Sequence, residues 1–173
     1  MVIWIIGLSG AGKTTLANLV INKIRKKNKK VVQLDGDILR EVFDNDTDHT
    51  IEGRAKNAKI LSHLSKLLAD QDVYVVASVL SIFPDWQKWN RKHIKNYFQV
   101  YIDVPMDILI QREIKGLYAG ALDGSIKNVV GVDIEFPEPV DNDLILDNRK
   151  ERKNFDGLVE KIMQIPKIKK IMK

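Results

Sequence analysis

The sequence predicts an α/β protein in which helices cover both faces of a parallel β-sheet. Apolar runs of strand length recur along the chain, and the segments between them space their apolar residues as helices do. The four runs cover residues 2–6, 31–34, 73–79 and 98–104. Strands that alternate with helices form parallel sheets through right-handed crossovers, which bring the carboxyl ends of the strands to one edge. We therefore expect the functional residues at that edge.

Length and composition are typical of a single soluble domain. A chain of 173 residues is long enough to bury a sizeable core. Cysteine is absent, which excludes a disulfide framework, a thiolate metal site and a cysteine nucleophile. The apolar run after Met1 has no basic leader, and no run approaches the roughly 18 residues that span a bilayer. We expect a cytoplasmic protein without a membrane partner.

The charge distribution does not indicate a nucleic-acid surface. The formal net charge is +5, and the basic residues concentrate in residues 25–30 and 167–173. We interpret both clusters as solvated helix ends, because a nucleic-acid surface pairs basic residues with exposed aromatics or a recognition module. A mildly basic protein suits an anionic small-molecule substrate equally well.

Two irregular segments are expected near the end of the chain. Residues 119–143 are punctuated by glycine and proline and show no clear periodicity, which is typical of a mobile functional loop. We predict a lid over about residues 112–135. A helix is predicted over residues 154–163, followed by a basic tail at about 165–173 that we expect to be frayed.

A phosphate-binding motif follows the first predicted strand. Residues 7–14 read G-L-S-G-A-G-K-T and match G-x-x-x-x-G-K-[ST] at the start of a helical stretch. In this motif backbone N–H groups hold phosphate oxygens, Lys13 reaches the β and γ phosphates, and Thr14 ligates Mg²⁺. The motif predicts a P-loop NTPase fold that uses ATP and Mg²⁺. The residues expected to bind ATP are Gly7, Ser9, Gly10, Ala11, Gly12, Lys13, Thr14 and Thr15.

Two carboxylates follow the second predicted strand. Asp35 and Asp37 flank Gly36 and should face the phosphate loop across the sheet edge. An Asp-Gly pair often forms a turn, and an Asp before a helix often caps it. Beside a phosphate loop, however, such a pair can organise Mg²⁺ and accept the proton of a substrate hydroxyl. The sequence leaves open which of the two acts as the base.

Several motifs occur together in a fixed order. G-L-S-G-A-G-K-T-T-L-A spans residues 7–17, and L-D-G-D-x-x-R spans residues 34–40. Further matches follow at Arg112 and at residues 115–118, 124–127, 131–133 and 144–147. Over about residues 2–148 the chain resembles the adenylylsulfate kinase family. The resemblance implies one kinase domain over residues 1–173, which transfers a phosphoryl group from ATP to the 3′-hydroxyl of a nucleotide with an activated 5′ group.

The resemblance also implies roles for individual residues. Asp37 is the candidate base, and Asp35 supports Mg²⁺ together with Thr14. Arg112 and Lys115 are expected in the lid near the transferring phosphoryl group, Arg112 binding ATP and Lys115 contributing to catalysis with Lys13. The expected substrate contacts are Asp37, Arg40, Arg54, Asn57, Ser81, Lys127 and Val129. The resemblance suggests a homodimer, which no residue pattern supports independently.

Structural explanations stay open for some of these residues. Arg54 and Asn57 lie one helical turn apart, away from the apolar residues of their segment, and could simply be solvated. The lid lysines could be ordinary surface charges, and Ser81 could be a turn residue. Trp86 and Trp89 are interpreted as helix packing rather than as base-stacking residues.

The chain departs from the family pattern around the substrate base. The family has three segments there: F-S-x-x-D-R-x-x-N, I-S-P-F-R and K-G-F-T-G. This chain instead reads H-T-I-E-G-R-A-K-N at residues 49–57, L-S-I-F-P at 80–84 and K-N-V-V-G at 127–131. Arg54 and Asn57 persist, but the two aromatics that would sandwich adenine are His49 and Val129. Stacking on an aromatic ring contributes about 1–3 kcal/mol per base. A pocket without these two rings loses that contribution for adenine, so a smaller base is predicted.

These departures make the chain similar to the cytidine diphosphoramidate kinases of bacterial capsule pathways. Cytidine diphosphoramidate is therefore the predicted acceptor, and adenylylsulfate is the alternative. Two other classes were weighed: a nucleotide-binding module without catalysis, and a kinase of a sugar acid. The Asp35 and Asp37 pair argues against the first and the lid pattern against the second.

Overall fold

The computed structural model describes residues 1–27, 30–43, 47–112, 116–150 and 154–173, in which the chain forms five strands and eight helices. The strands are β1 (Val2–Ile6), β2 (Val31–Asp35), β3 (Tyr74–Val79), β4 (Tyr97–Asp103) and β5 (Leu144–Asp147). The helices are α1 (Lys13–Arg25), α2 (Gly36–Val42), α3 (Ile51–Asp70), α4 (Pro84–His93), α5 (Met106–Arg112), α6 (Leu117–Leu122), α7 (Asp156–Met163) and α8 (Pro166–Ile171).

The sheet is parallel throughout, as the alternating pattern predicts. Its strand order is β2-β3-β1-β4-β5, so β1 lies in the centre. At the carboxyl edge, Ile6 pairs with Val79 on one side and Tyr101 on the other, and Asp35 pairs with Ser78. The phosphate loop, which follows β1, therefore begins at the centre of this edge.

The core divides into two layers because the side chains of β1 alternate between the two faces of the sheet. Ile3 and Ile5 pack in the layer that contains α1, α5, α7 and α8. Val2, Trp4 and Ile6 pack in the layer that contains α2 and α3. Every residue of β1 is buried. A strand covered on both faces reads as a continuous apolar run, which is why the sequence predicts its position well.

The fifth strand was not predicted from the sequence. β5 has only four residues and lies at the edge of the sheet, where it pairs with β4 alone. Ile145 is 57% exposed, while Leu146 is fully buried. A short, half-exposed edge strand lacks the unbroken apolar run that marks the central strands.

The expectation of a frayed basic tail is wrong. Residues 166–171 form α8, in which Ile168 is fully buried, and Met172 is buried directly after it. The Lys27 amine donates a hydrogen bond of 3.2 Å to the Met172 carbonyl. The apolar residues of the tail thus join the core layer that contains α1 and α7, while Lys169 and Lys170 stay exposed. None of the helices in the described ranges combines the length and apolar content needed to cross a membrane.

Docking of α8 can be tested with Ile168→Ala and the exposed neighbour Lys169→Ala. Ile168 is fully buried, so its truncation should cost about 2 kcal/mol and lower Tm by roughly 4–8 °C in a domain of this size. Lys169→Ala should leave Tm nearly unchanged. Equal Tm values for the two variants in thermal unfolding would mean that α8 does not contribute to stability.

Candidate active site

A cavity of about 550 Å³ opens at the carboxyl edge of the sheet. Its walls come from the phosphate loop, the β2–α2 junction, α3, the loop after β3, and residues 126–130. The predicted site residues that line it are Ser9, Gly10, Gly12, Lys13, Thr14, Thr15, Asp35, Asp37, Arg40, Arg54, Asn57, Ser81, Lys127 and Val129. Most of the residues singled out from the sequence therefore meet in one place.

The phosphate loop has the backbone conformation that its glycines permit. Gly10 and Gly12 adopt φ values of 76° and 95°, a region that side chains with a Cβ rarely occupy. A Cβ on Gly12 would also lie 2.8 Å from the ring of Phe155. The carbonyl of Gly12 accepts the first bond of α1, from the Leu16 N–H at 3.0 Å. The loop thus leads directly into a helix N-terminus, a favourable position for an anion.

Lys13 carries a positive charge into this loop. Its Nζ donates a hydrogen bond of 2.8 Å to the Leu8 carbonyl. Burial lowers the pKa of Lys13 to about 8, although the nearby carboxylates of Asp37 and Asp35 act in the opposite direction. An anion bound against Lys13 would favour the charged amine and raise this pKa.

Asp35 connects three elements at the centre of the site. Its Oδ2 accepts a hydrogen bond of 3.0 Å from the Thr14 hydroxyl and a second from the Ser78 hydroxyl. Its Oδ1 accepts the Asp37 N–H at 3.0 Å and so caps α2. Ser78 was missed in the sequence, although it is a polar residue at the end of an apolar strand. Its register opposite Asp35 brings the two side chains together.

The Thr14 hydroxyl and the Asp35 carboxylate form a pair of oxygen groups that fits Mg²⁺. Magnesium favours oxygen ligands and keeps several positions for water and phosphate oxygens. Across the described ranges, no three His, Cys, Asp or Glu side chains are grouped so that they could hold a metal ion. The site therefore suits a metal held by two protein groups together with the phosphates of a nucleotide.

Asp37 presents its carboxylate at the mouth of the cavity. The side chain is 85% exposed, and its Oδ1 lies 3.2 Å from Nη1 of Arg40. Arg40 is mostly buried and also donates to the Gly36 carbonyl at 3.1 Å. The two carboxylates thus differ in environment: Asp35 is buried at 8% exposure and bonded through both oxygens, whereas Asp37 is open.

Arg54 and Asn57 lie on the face of α3 that borders the cavity. Arg54 donates to the His49 carbonyl at 2.9 Å and to the Asn128 carbonyl at 2.7 Å. Asn57 is 4% exposed, and its Nδ2 donates to the Gly36 carbonyl at 3.1 Å. Its Oδ1 is buried without a hydrogen-bond partner in the part of the chain that the structure describes. Neither residue is a solvated surface group.

Basic side chains of α2, α3 and the loop before α3 lie together on the side of the cavity opposite the phosphate loop. Burial lowers the pKa of His49, and the neighbouring Arg40 and Arg54 guanidinium groups lower it further. Burial likewise lowers the pKa of Arg54, with Arg40 acting in the same direction. The carboxylates of Asp37 and Asp48 act in the opposite direction for both groups, so the guanidinium charges are only partly offset and can still attract an anion.

The rest of the cavity wall is lined both by residues that the sequence predicted and by residues that it did not. Val129 is 3% exposed and lines the cavity, as do His49, Phe83 and Trp4. Trp4 lies within the apolar run of β1, so no sequence signal distinguished it from a core residue. Its indole N–H donates to the Ser81 hydroxyl at 3.4 Å.

Ser81 lines the cavity and also lies in a turn. It adopts φ of 56°, and its carbonyl accepts a 2.9 Å hydrogen bond from Gln87. Trp86 and Trp89 instead pack against each other and against His63 on the outside of α3 and α4, which agrees with the packing interpretation.

Three predicted residues within the described ranges do not line the cavity, and a further one, Lys115, lies outside those ranges. Gly7 and Ala11 belong to the phosphate loop but are buried. Arg112 donates to the carbonyls of Asn148 and Arg149 at 2.7 and 2.6 Å. Asn148 in turn donates to the Ala11 carbonyl at 3.1 Å, which connects Arg112 to the back of the loop.

Comparisons with known proteins agree on one family. A model described as adenylylsulphate kinase matches residues 1–147. The cytidine diphosphoramidate kinase of Campylobacter jejuni is 41% identical, over 94% of each chain. The adenylyl-sulfate kinase of Halothermothrix orenii is 36% identical, over 86% of this chain and 80% of that protein. The structure of the Mycobacterium tuberculosis APS kinase in complex with AMPPNP and APS superposes with a TM-score of 0.86 at 32% identity, covering 96% of each chain.

The role of Lys13 can be separated from the fold with Lys13→Ala. The buried amine has a pKa of about 8 instead of 10.5, so its charge destabilises the nucleotide-free protein below pH 8 and does so less as the pH rises towards 10.5. Lys13→Ala should therefore unfold at the same or a higher Tm at pH 7. Its kcat should fall below about a tenth of wild type, because charge on the transferred group loses its partner. Lys92→Ala, on the exposed surface of α4, is the control.

Proposed function

This chain belongs to the adenylylsulphate kinase family, and we propose that it phosphorylates the 3′-hydroxyl of cytidine diphosphoramidate with Mg²⁺·ATP. The enzyme is a phosphotransferase with a hydroxyl acceptor. The observation that carries the choice of acceptor is that His49 and Val129 both line the cavity. The two positions that hold aromatic rings in the adenylylsulfate kinase pattern thus provide smaller walls. The Campylobacter jejuni relative supports the same acceptor.

The donor side is built from the phosphate loop. Its backbone N–H groups and the start of α1 bind the phosphates, with Lys13 beside them. Thr14 and Asp35 would hold Mg²⁺, which when bound neutralises charge on the β and γ phosphates. Asp35 is already oriented for this role by the Ser78 hydroxyl and the Asp37 N–H.

Asp37 is the better candidate for the base. Both Asp35 oxygens accept hydrogen bonds, whereas the Asp37 carboxylate is open to the cavity. In the proposed step, the acceptor 3′ oxygen forms a bond to the γ phosphorus as the bond between that phosphorus and the β–γ bridging oxygen breaks. The hydroxyl proton passes to Asp37, and ADP is the leaving group.

The acceptor side supplies positive charge, and the buried Asn57 Oδ1 lies behind it without a hydrogen-bond partner in the described part of the chain. Arg40 and Arg54 would bind the anionic 5′ group. The Gly36 carbonyl can only accept, so it fixes the Asn57 amide with Nδ2 towards it and leaves Oδ1 as an acceptor.

Adenylylsulfate remains the second candidate because a different observation favours it. Phe83 and Trp4 line the same cavity and could stack a purine from other walls. Trp86, in contrast, packs against His63 and Trp89. The structure of the Mycobacterium tuberculosis APS kinase, of the same fold, is of a complex with AMPPNP and APS.

The acceptor is identified by steady-state kinetics with Mg²⁺·ATP and each nucleotide in turn. We expect a higher kcat/KM for cytidine diphosphoramidate than for adenylylsulfate. The opposite order would reject the cytidine assignment and retain a nucleotide 3′-kinase. Phosphorylation of neither nucleotide would reject the proposed function.

The small walls can be enlarged with the double variant His49→Phe/Val129→Phe. Each ring could stack on a purine and recover about 1–3 kcal/mol, so kcat/KM should shift towards adenylylsulfate by tens-fold or more. Cytidine substrates should gain less because their ring is smaller. Val140→Phe, at an exposed position outside the cavity, controls for an added ring. An unchanged ratio would mean that these walls do not contact the base.

The base can be tested with Asp37→Asn, which keeps size and removes basicity. General-base help is typically about 10²–10⁴-fold, so kcat should fall by that order while the KM for ATP changes little. Asp85→Asn, at the exposed start of α4, is the control. A kcat close to wild type would assign Asp37 to ion pairing with Arg40 and leave Asp35 as the candidate base.

A further inference from the structure

The turn formed by residues 128–134 closes the cavity across from α3. We infer that Asp133 is a positioning residue for acceptor binding: its carboxylate holds this turn so that Asn128 and Val129 complete the acceptor wall. Asp133 itself is exposed and is not among the described residues that line the cavity. The inference rests on the proposed function, since it concerns the same acceptor site.

The Asp133 carboxylate binds the backbone at the start of the turn. Oδ2 accepts the Asn128 N–H at 2.6 Å, and Oδ1 accepts the Val129 N–H at 2.5 Å. The Val129 carbonyl accepts the N–H groups of residues 132–134 at 3.1–3.2 Å. The Gly131 N–H donates to the Ile134 carbonyl at 2.7 Å. The turn is therefore closed on itself, with one side chain bonded to its two leading amides.

The turn needs such support because its backbone is unusual. Asn128 adopts φ of 63°, a region that residues other than glycine rarely occupy. Gly131 adopts φ of 97°, and a Cβ there would lie 2.2 Å from Cε of Met106. The far side of the turn is thus packed against α5, while the near side depends on Asp133.

The near side of the turn contacts the acceptor-binding groups. The Asn128 carbonyl accepts the 2.7 Å hydrogen bond from Arg54, which also donates to the His49 carbonyl. Arg54 therefore joins the start of α3, the loop before it and the turn. The Asp133 charge also partly offsets the lowering of the Arg54 pKa that burial and Arg40 cause. Through Asn128, Asp133 controls where Arg54 and Val129 meet the substrate.

Asp133→Asn tests this role because an amide can offer only one acceptor to the two N–H groups. Its matched control is Asp123→Asn: Asp123 accepts the Ser125 N–H at 2.9 Å in a neighbouring turn that does not touch Arg54 in the described structure. With the acceptor that wild type uses, Asp133→Asn should raise the acceptor KM by about ten-fold or more, since a charge-assisted interaction is lost. The KM for ATP should change by less than about two-fold in both variants. An acceptor KM like that of the control would overturn the inference, as would a parallel rise of both KM values or a marked fall in Tm.

Hydrogen exchange separates a failure of this inference from a failure of the proposed function. If wild type phosphorylates neither nucleotide, the proposed function fails. The hydrogen-exchange rates of the Asn128 and Val129 backbone amides in the free enzyme still test whether Asp133 holds the turn. They should exchange about ten-fold or more faster in Asp133→Asn than in wild type or Asp123→Asn. Equal exchange in all three proteins would overturn the inference.

Discussion

The buried carboxylate of Asp35 is the interaction on which the arrangement of the site depends. It accepts hydrogen bonds from three elements: from Thr14 in α1, which follows the phosphate loop, from Ser78 in β3, and from the Asp37 N–H at the start of α2. A buried carboxylate needs several donors to offset its desolvation, and the parallel register of β2 and β3 brings these donors to one edge. The donor and acceptor sides of the cavity are thereby fixed relative to one another.

The positive charges around the cavity come at an electrostatic cost that an anionic ligand would relieve. The pKa values of Lys13, His49 and Arg54 are all lowered, first by burial, and for His49 and Arg54 also by a neighbouring guanidinium. A bound anion compensates for both effects at once, so nucleotide binding should be strongly coupled to the stability of this end of the molecule. In the free protein these basic groups are in an environment that disfavours their charged forms, and a bound anion would favour those forms.

The sequence predicted best those features that local patterns determine. The central strands are unbroken apolar runs, and the phosphate loop depends on glycines at fixed spacing, so both were predicted close to their observed positions. β5 and α8 were missed because their burial depends on contacts with distant elements: β5 pairs only with β4, and Ile168 and Met172 dock near α1. Within the site, Ser78 and Trp4 acquire their positions from neighbouring strands, which a linear pattern does not reveal. The roles predicted from the family resemblance stay predictions until they are measured.

The docking of α8 also brings basic residues from two distant parts of the chain near one another. The Lys27 contact with Met172 brings the exposed Lys26 and Lys27 near the end of α8, where Lys169 and Lys170 are also exposed, so a basic surface lies close to the end of α1. α1 has 13 residues, which places this surface roughly 20 Å from the phosphate loop. That distance is more than twice the screening length of about 8 Å at physiological ionic strength. Charge at this end of the molecule is therefore largely screened at the cavity, and an approaching nucleotide there meets mainly the charges of the cavity itself.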